Sequence, residues 1–187
     1  MPQRIAVVSA SVRAQGIGPS IADWVTSSLS SAEAVTIDPI DLATTSLPDD
    51  EHLLPGGGPK SEVAHRIEAA DAFVFVTPEY NHSYPASLKR LIDWHYHEWM
   101  FKPATIVAYG SQGGHAATEH LRGVLAELHV VATRQSLNLR NPWTALDDGG
   151  RFVPGENVGA ALSAALDELT WWADTLTLAR TTRPFTG

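Results

Sequence analysis

Five short apolar runs recur along the chain, at residues 5–8, 34–37, 72–76, 104–109 and 130–133. Between consecutive runs lie stretches whose apolar residues keep helical spacing: Ile21, Trp24, Val25 and Leu29; then Val63, Ile67 and Ala70 within 60–70; then Leu88, Leu91, Ile92 and His95; then Leu121, Val124, Leu125 and Leu128 within 116–128. A last helix is expected over 156–178. The run Ala72-Phe73-Val74-Phe75-Val76 has no polar alternation, as a strand has when both faces of its sheet are covered. Regular alternation of strand and helix predicts an α/β fold, a parallel sheet with helices on both faces. Short right-handed crossovers leave few topologies, and five strands favour the order 2-1-3-4-5.

The 187 residues suit one domain, 1–187, with a full core. With 44% hydrophobic and 18% charged residues the chain reads as globular, and its apolar runs are too short to span a bilayer. No signal-peptide pattern opens it, so the expected compartment is the cytoplasm. The lack of cysteine excludes disulfides, thiolate metal sites and thiol catalysis. A formal charge of −8 disfavours nucleic-acid binding. It leaves a local anion site open, because salt screens distant charge over about 8 Å.

In such a sheet, ligands bind beyond the carboxyl ends of the strands, which brings three loops together. "SASVRAQGIGPS", residues 9–20, offers hydroxyls, Gly16, Gly18, a helix N-terminus and Arg13 to a phosphate. Taken alone, it is equally well explained as a plain loop with a capping serine. It is neither a Walker A loop nor a G-x-G-x-x-G fingerprint. "YGSQGGH", residues 109–115, carries Gly110, Gly113 and Gly114 ahead of a helix, which suits close approach of a flat ligand or simply a tight turn. "TPEYNHS", residues 77–83, ends a buried strand in polar and aromatic residues, which suit a planar heterocycle with polar edges or are simply solvated loop residues, Glu79 and His82, with Tyr80 as a lid over the core.

"TPEYNHSYPASLKRLIDW" closely resembles the signature of the NADPH-dependent FMN reductase family, flavodoxin-like oxidoreductases that include quinone, chromate and azo-dye reductases. "SASVRAQGIGPSIADWV" is similar to that family's phosphate loop, and "YGSQGGHAATEHLRGVLAEL" to its S-x-G-G loop and following helix; the match spans roughly 4–135. The resemblance implies a flavodoxin-like three-layer sandwich binding FMN and reacting with NADPH. The phosphate would lie on Ser11, Arg13, Gln15, Gly16, Ile17, Gly18 and Ser20, and the ring along Pro78, Glu79, Tyr80 and Asn81. Its pyrimidine edge would lie near Ser111, Gln112, Gly113 and Gly114, with Tyr80 and His82 bordering the open face. Ala10 stands where the family usually has Gly, and Gly16 where many members have a second phosphate ligand.

The expected reaction is ping-pong hydride transfer from NADPH through FMN to a quinone-like or other small acceptor, or to free flavin. The cofactor carries that chemistry, so no acid–base dyad is needed. An electron carrier of flavodoxin type and a flavin-free sensor or scaffold stay open beside it. No metal site is expected: His95 and His97 face different ways on a helix, His115 and His120 do not pair, and thiolates are absent. "WHYHEW", residues 94–99, covers every face of a helix with bulky side chains, so a partner surface or the long loop 43–59 must bury some of them. We expect a homodimer, possibly extended to a tetramer, through the helix containing Trp94 and Trp99, as the family resemblance also implies. Trp171 and Trp172 are expected to pack at the core and its edge, and residues 181–187 to fray.

Overall fold

The computed structural model describes residues 2–30 and 35–185; Ala34 of the second apolar run and the last two residues of the tail lie outside them. Strands β1 (Gln3–Ser9), β2 (Val35–Asp41), β3 (Ala72–Pro78) and β4 (Pro103–Gly110) alternate with helices α1 (Gly18–Leu29), α2 (Ala64–Ala69), α3 (Ala86–Asp93) and α4 (His115–Glu127). Two short strands follow, β5 (Val131–Ala132) and β6 (Leu137–Arg140), and then the long helix α5 (Glu156–Thr182). The sheet is parallel and its order is β2-β1-β3-β4-β5, as expected, with β6 also paired to β4.

Side chains alternate across the strands, yet both faces are apolar. Ala6, Val8, Phe73, Phe75, Ile106 and Ala108 pack with Leu88, Leu91, Ile92, Leu121 and Leu125 on one side. Ile5, Val7, Val74, Val76 and Val107 pack with Ile21, Val25, Leu162 and Leu169 on the other. Double-sided burial is why the strands read as unbroken apolar runs.

The expected fifth strand is divided. β5 pairs with the start of β4, at Pro103 and Ala104, and β6 with its end, from Val107 to Gly110. The interruption keeps its polar groups satisfied: Thr133 Oγ1 meets Thr105 Oγ1 and donates to the Gln135 carbonyl at 2.9 Å. From α5, the Glu168 carboxylate accepts the N–H groups of Arg134 and Gln135 at 2.8 and 3.0 Å. Such pairing lets a strand break inside a buried sheet.

Residues 94–99 do not continue α3. The helix ends at Asp93 and the chain turns, carrying Trp99 edge-on against Phe73 at 4.7 Å between centroids. Trp94, His95 and Trp99 are buried within their own chain, and His97 is exposed. Much of the cover comes from the 43–59 loop: Trp94 Nε1 and Arg90 Nε donate to Asp50 Oδ1 at 3.2 and 2.6 Å, Arg90 also reaches the Pro48 carbonyl, and Gly58 lies against the Trp94 ring. The premise for pairing two copies here, side chains left without cover, is therefore not met. Elsewhere, α2 is shorter than expected because Lys60, Ser61 and Glu62 precede it as loop and turn. α5 runs on to Thr182, Phe185 sits 4.9 Å from the Phe101 ring, and Trp171 lies exposed against Trp172 rather than in the core.

His95 Nδ1 meets the Leu91 carbonyl at 2.7 Å and Nε2 meets Ser61 Oγ at 2.6 Å, so the neutral ring donates to one and accepts from the other. Burial lowers its pKa below the ordinary 6.5, against the Leu91 hydrogen bond and Glu98, which raise it. As pH falls, the unfolded chain takes up this proton before the folded one, so stability is full above 6.5 and declines below it. The urea midpoint is expected to drop from about pH 7.5 to about pH 5.5, and the drop to shrink in His95→Asn; equal slopes would remove His95 as the cause.

Helix α4 supplies a second test through two of its glycines. Gly114, its N-cap, has φ +80°, and a Cβ there would stand 2.6 Å from Tyr109 N and 2.7 Å from Ala108 Cβ. Gly123, on the same helix, faces open space. Gly114→Ala should cost about 2–4 kcal/mol from backbone strain and overlap, whereas Gly123→Ala should stabilise by about 0.5–1 kcal/mol. Denaturant unfolding of the two variants reads both signs.

Candidate active site

Because β1, β3 and β4 run parallel, their carboxyl ends open on one edge, and the loops after them are tied together there. Ala10 N–H donates to the Val76 carbonyl at 2.9 Å, and Ser87 Oγ, in the first turn of α3, donates to the Ala10 carbonyl at 2.8 Å. The loop after β1 closes a turn from the Gly16 N–H to the Arg13 carbonyl (3.2 Å) and enters α1 at Gly18 and Pro19. Ile17, the N-cap, gives no side-chain hydrogen bond, and the first intrahelical bond runs from Ile21 N–H to the Ile17 carbonyl. The N–H groups of Gly18 and Ser20 thus precede the helical ladder, at its positive end.

The loop after β3 is a tight turn. Tyr80 and Ser83 exchange both backbone hydrogen bonds, at 2.7 and 3.0 Å, with Asn81 and His82 at φ +50° and +63° between them. Two successive left-handed residues are what a type I′ connection requires. Glu79 anchors its base: its N–H donates to the Tyr109 carbonyl at 2.8 Å, and its carboxylate accepts the Ala116 N–H in the first turn of α4 at 3.0 Å. The loop after β4 turns through Gly113 and Gly114, both at positive φ, and Gly110 accepts from Asn141 N–H at 2.9 Å. A fourth segment joins them from beyond β6: Phe152 N–H donates to Ser20 Oγ at 2.7 Å, and Phe152 packs edge-on against Trp24 at 5.3 Å. Asp147 organises that segment by accepting from the Arg151 backbone N–H and guanidinium and from Gly149 N–H, which hold its carboxyl below the usual range.

These segments enclose a cavity of about 690 Å³, within the range of small-molecule and cofactor sites. Of the residues expected at a site, Ser11, Arg13, Gln15, Gly16, Ile17, Ser20, Pro78, Glu79, Tyr80, Asn81 and Ser111 line it. Gly18, His82, Gln112, Gly113 and Gly114 are not among its lining. Gly18 backs onto Tyr109 and Ser11, and Gly114 lies against β4, so both shape the wall from behind. His82 is exposed at the tip of its turn.

Tyr109, Trp143, Leu146 and Gly150 line the cavity without having been singled out from the sequence, and Gly110, one of the three glycines noted in the loop of 109–115, lines it as well. Tyr109 read as the last residue of an apolar strand, and only the polar end of its ring among such neighbours could have marked it. Trp143 and Leu146 follow β6 in a stretch without periodicity, and both keep large exposed apolar surfaces.

Arg13 and Glu79 are the charged side chains lining the cavity among the described residues. The Arg13 guanidinium lies over the Tyr80 ring, 4.3 Å from its centroid. Tyr80 Oη and Tyr109 Oη are buried without hydrogen-bond partners, a state that costs about 1–3 kcal/mol for each group. Burial pushes the Tyr109 pKa up to about 12; the Ser11 hydroxyl offsets part of the rise, although its geometry falls short of a hydrogen bond. The arrangement gathers a cation, free N–H groups, two unpaired hydroxyls and a flat turn around one cleft. Among the described residues, no cluster of histidine, aspartate and glutamate is placed to hold a metal ion. No helix among them is long and apolar enough to cross a membrane.

Comparison with known proteins agrees with this geometry. A profile of the family described as NADPH-dependent FMN reductase matches residues 3–144. An NAD(P)H-dependent FMN reductase of Saccharomyces cerevisiae is 37% identical over 144 residues, covering 68% of this chain and 75% of that protein. A 2-hydroxy-1,4-benzoquinone reductase of Burkholderia is 33% identical over 115 residues, covering 57% of this chain and 62% of that protein. Among solved structures, the flavoenzyme NAD(P)H:(acceptor) oxidoreductase FerB of Paracoccus denitrificans superposes with a TM-score of 0.72 at 21% identity, covering 90% of this chain and 98% of that one, which shows a shared fold. The chain thus belongs to the NADPH-dependent FMN reductase family and carries it on a flavodoxin-like fold.

Proposed function

We propose that the chain, as one domain over residues 1–187, is an FMN-dependent NAD(P)H oxidoreductase acting on a quinone or another small acceptor. The observation that carries this reading is the cavity itself, whose lining unites Arg13, stacked on the Tyr80 ring, with residues at the start of α1 and the flat Tyr80–Asn81 turn. FMN combines a phosphate, a hydroxylated chain and a planar ring with a polar edge. Unpaired Tyr80 and Tyr109 hydroxyls suit its polar groups, and the Gly16 and Gly110 backbones suit its close approach. Bound FMN would supply the chemistry of hydride acceptance from a nicotinamide and electron delivery to an acceptor.

The chain's own residues bind and orient. Ser11, Arg13, Gln15, Gly16, Ile17 and Ser20 would hold the phosphate and the start of the ribityl chain, with the Gly18 N–H behind them. Pro78, Glu79, Tyr80 and Asn81 would seat the ring, and Gly110 and Ser111 would meet its polar edge. Gln112, Gly113 and Gly114 support that edge from outside the cavity. Glu79, with its carboxylate on the α4 N-terminus, positions the turn rather than moving protons. Trp143 and Leu146 add apolar surface to the wall of the same cavity. One open cavity must admit nicotinamide and acceptor in succession, which favours ping-pong kinetics.

A quinone is the acceptor class we assign, in line with the name of the Burkholderia relative. The cytoplasm, where reduced nicotinamide is regenerated, is the compartment this reading implies. A homodimer belongs to the same reading. Exposed Val12, Trp143, Leu146 and Val153, at and beside the cavity, offer its contact better than residues 94–99, which are largely covered.

Protein mixed anaerobically with FMN should retain the flavin, lose its yellow colour within seconds of adding NADPH, and regain it on adding benzoquinone. Double-reciprocal plots at several quinone concentrations should be parallel. Flavin that binds but stays oxidised would favour an electron carrier, and a protein that neither retains nor reduces flavin would overturn the reading. Arg13→Ala should weaken FMN binding about 10- to 100-fold, the effect of one charge-assisted hydrogen bond, and leave riboflavin binding nearly unchanged. Titration by flavin fluorescence separates the two ligands.

A further inference from the structure

Tyr109 is 5% exposed, and its Oη meets no partner in hydrogen-bond geometry, although the Ser11 hydroxyl lies near enough to bear on its ionisation. Buried hydroxyls are nearly always paired, so one left alone beside a cavity calls for a ligand. β4 directs this side chain to the α1 side of the sheet, among Val107, Ile21 and Val25. Its Oη comes so near the start of α1 that a Cβ on Gly18 would stand 2.5 Å from it and 2.9 Å from Ser11 Cβ. The helix itself has 12 residues, no side-chain cap and no acidic residue in its first turn. At Gly16 the turn before it offers no side-chain donor, and Ser20 Oγ, which accepts from Phe152 N–H, keeps a single O–H to donate. Tyr109 shares the cavity wall with Ser11 and Arg13.

We propose that Tyr109 is a further binding residue, whose Oη donates a hydrogen bond to the FMN phosphate held at the N-terminus of α1. The inference rests on the FMN reading above and adds a donor from β4 to a site otherwise built from the β1 loop. Because the Tyr109 pKa lies at about 12, the group stays a neutral donor at neutral pH instead of becoming a phenolate that would repel a phosphate. Gly18 is then required for closeness: any side chain there would push the phenol out of its place.

Tyr109→Phe keeps the ring and deletes only the hydroxyl. Thermal unfolding of the flavin-free variant should give a midpoint equal to or above the wild type, since an unpaired buried group is removed. FMN affinity should fall about 10-fold or more while riboflavin affinity changes less than about twofold. Unchanged FMN affinity would overturn the proposal. So would an equal loss for both flavins, which would put the hydroxyl on the ribityl chain or ring, or a lowered flavin-free midpoint, which would make it a structural group. A wild type that binds neither flavin would remove the FMN reading first, and Tyr109's role with it.

Discussion

Parallel pairing of β1, β3 and β4, in registers that set Ser9 beside Val76 and Pro78 beside Tyr109, leaves three strand ends on a single edge. Helices on both faces keep water from the sheet, and the apolar side chains they cover hold the strands in register. Backbone groups that would have continued the ladder at that edge find partners in neighbouring loops instead: Ala10 on Val76, Leu42 on Ser9, Glu79 on Tyr109, Asn141 on Gly110. The cavity is thus a by-product of how a parallel sheet terminates, and its polar lining follows from the same termination.

Rigidity at the site has identifiable sources. The turn carrying Asn81 and His82 is held in left-handed backbone by two reciprocal hydrogen bonds, and its base is fixed to α4 through the Glu79 carboxylate. Such strain persists only where the surroundings over-determine it. Arg13 differs: it is exposed and rests on an aromatic face. A cation stacked on Tyr80 can swing to a phosphate at small cost, since exposed cation–π contacts are worth only about 0.5–1 kcal/mol. The turn is preformed; the charge is adjustable.

Much of the fold was legible because double-sided burial writes itself into sequence: 72–76 and 104–109 could be little else than central strands. The division between β5 and β6 was not, because it depends on Glu168, far along the chain, accepting the N–H groups of Arg134 and Gln135. Residues 94–99 misled for a related reason. Composition showed too many large side chains for one helix face, but not that the chain leaves the helix at Trp94 or that Asp50 reaches back to cover it. At the site, hydroxyls, glycines and Arg13 in the loops announced themselves. Tyr109 did not, since a tyrosine ending an apolar strand looks the same whether its hydroxyl meets solvent, core or ligand.

The contact between Gly18 and Tyr109 also bears on how this chain can vary over evolutionary time. Neither position can change freely while the other is kept: a side chain at 18 collides with the phenol, and a smaller residue at 109 leaves a void under the first turn of α1. Substitutions at two sites so close are not expected to be independent in their effects. A side chain acquired at position 18 would have to be met by a shift of the phenol or by its loss. Without the phenol, an anion at the start of α1 would rest on Arg13, the Ser11 hydroxyl and the helix N–H groups alone.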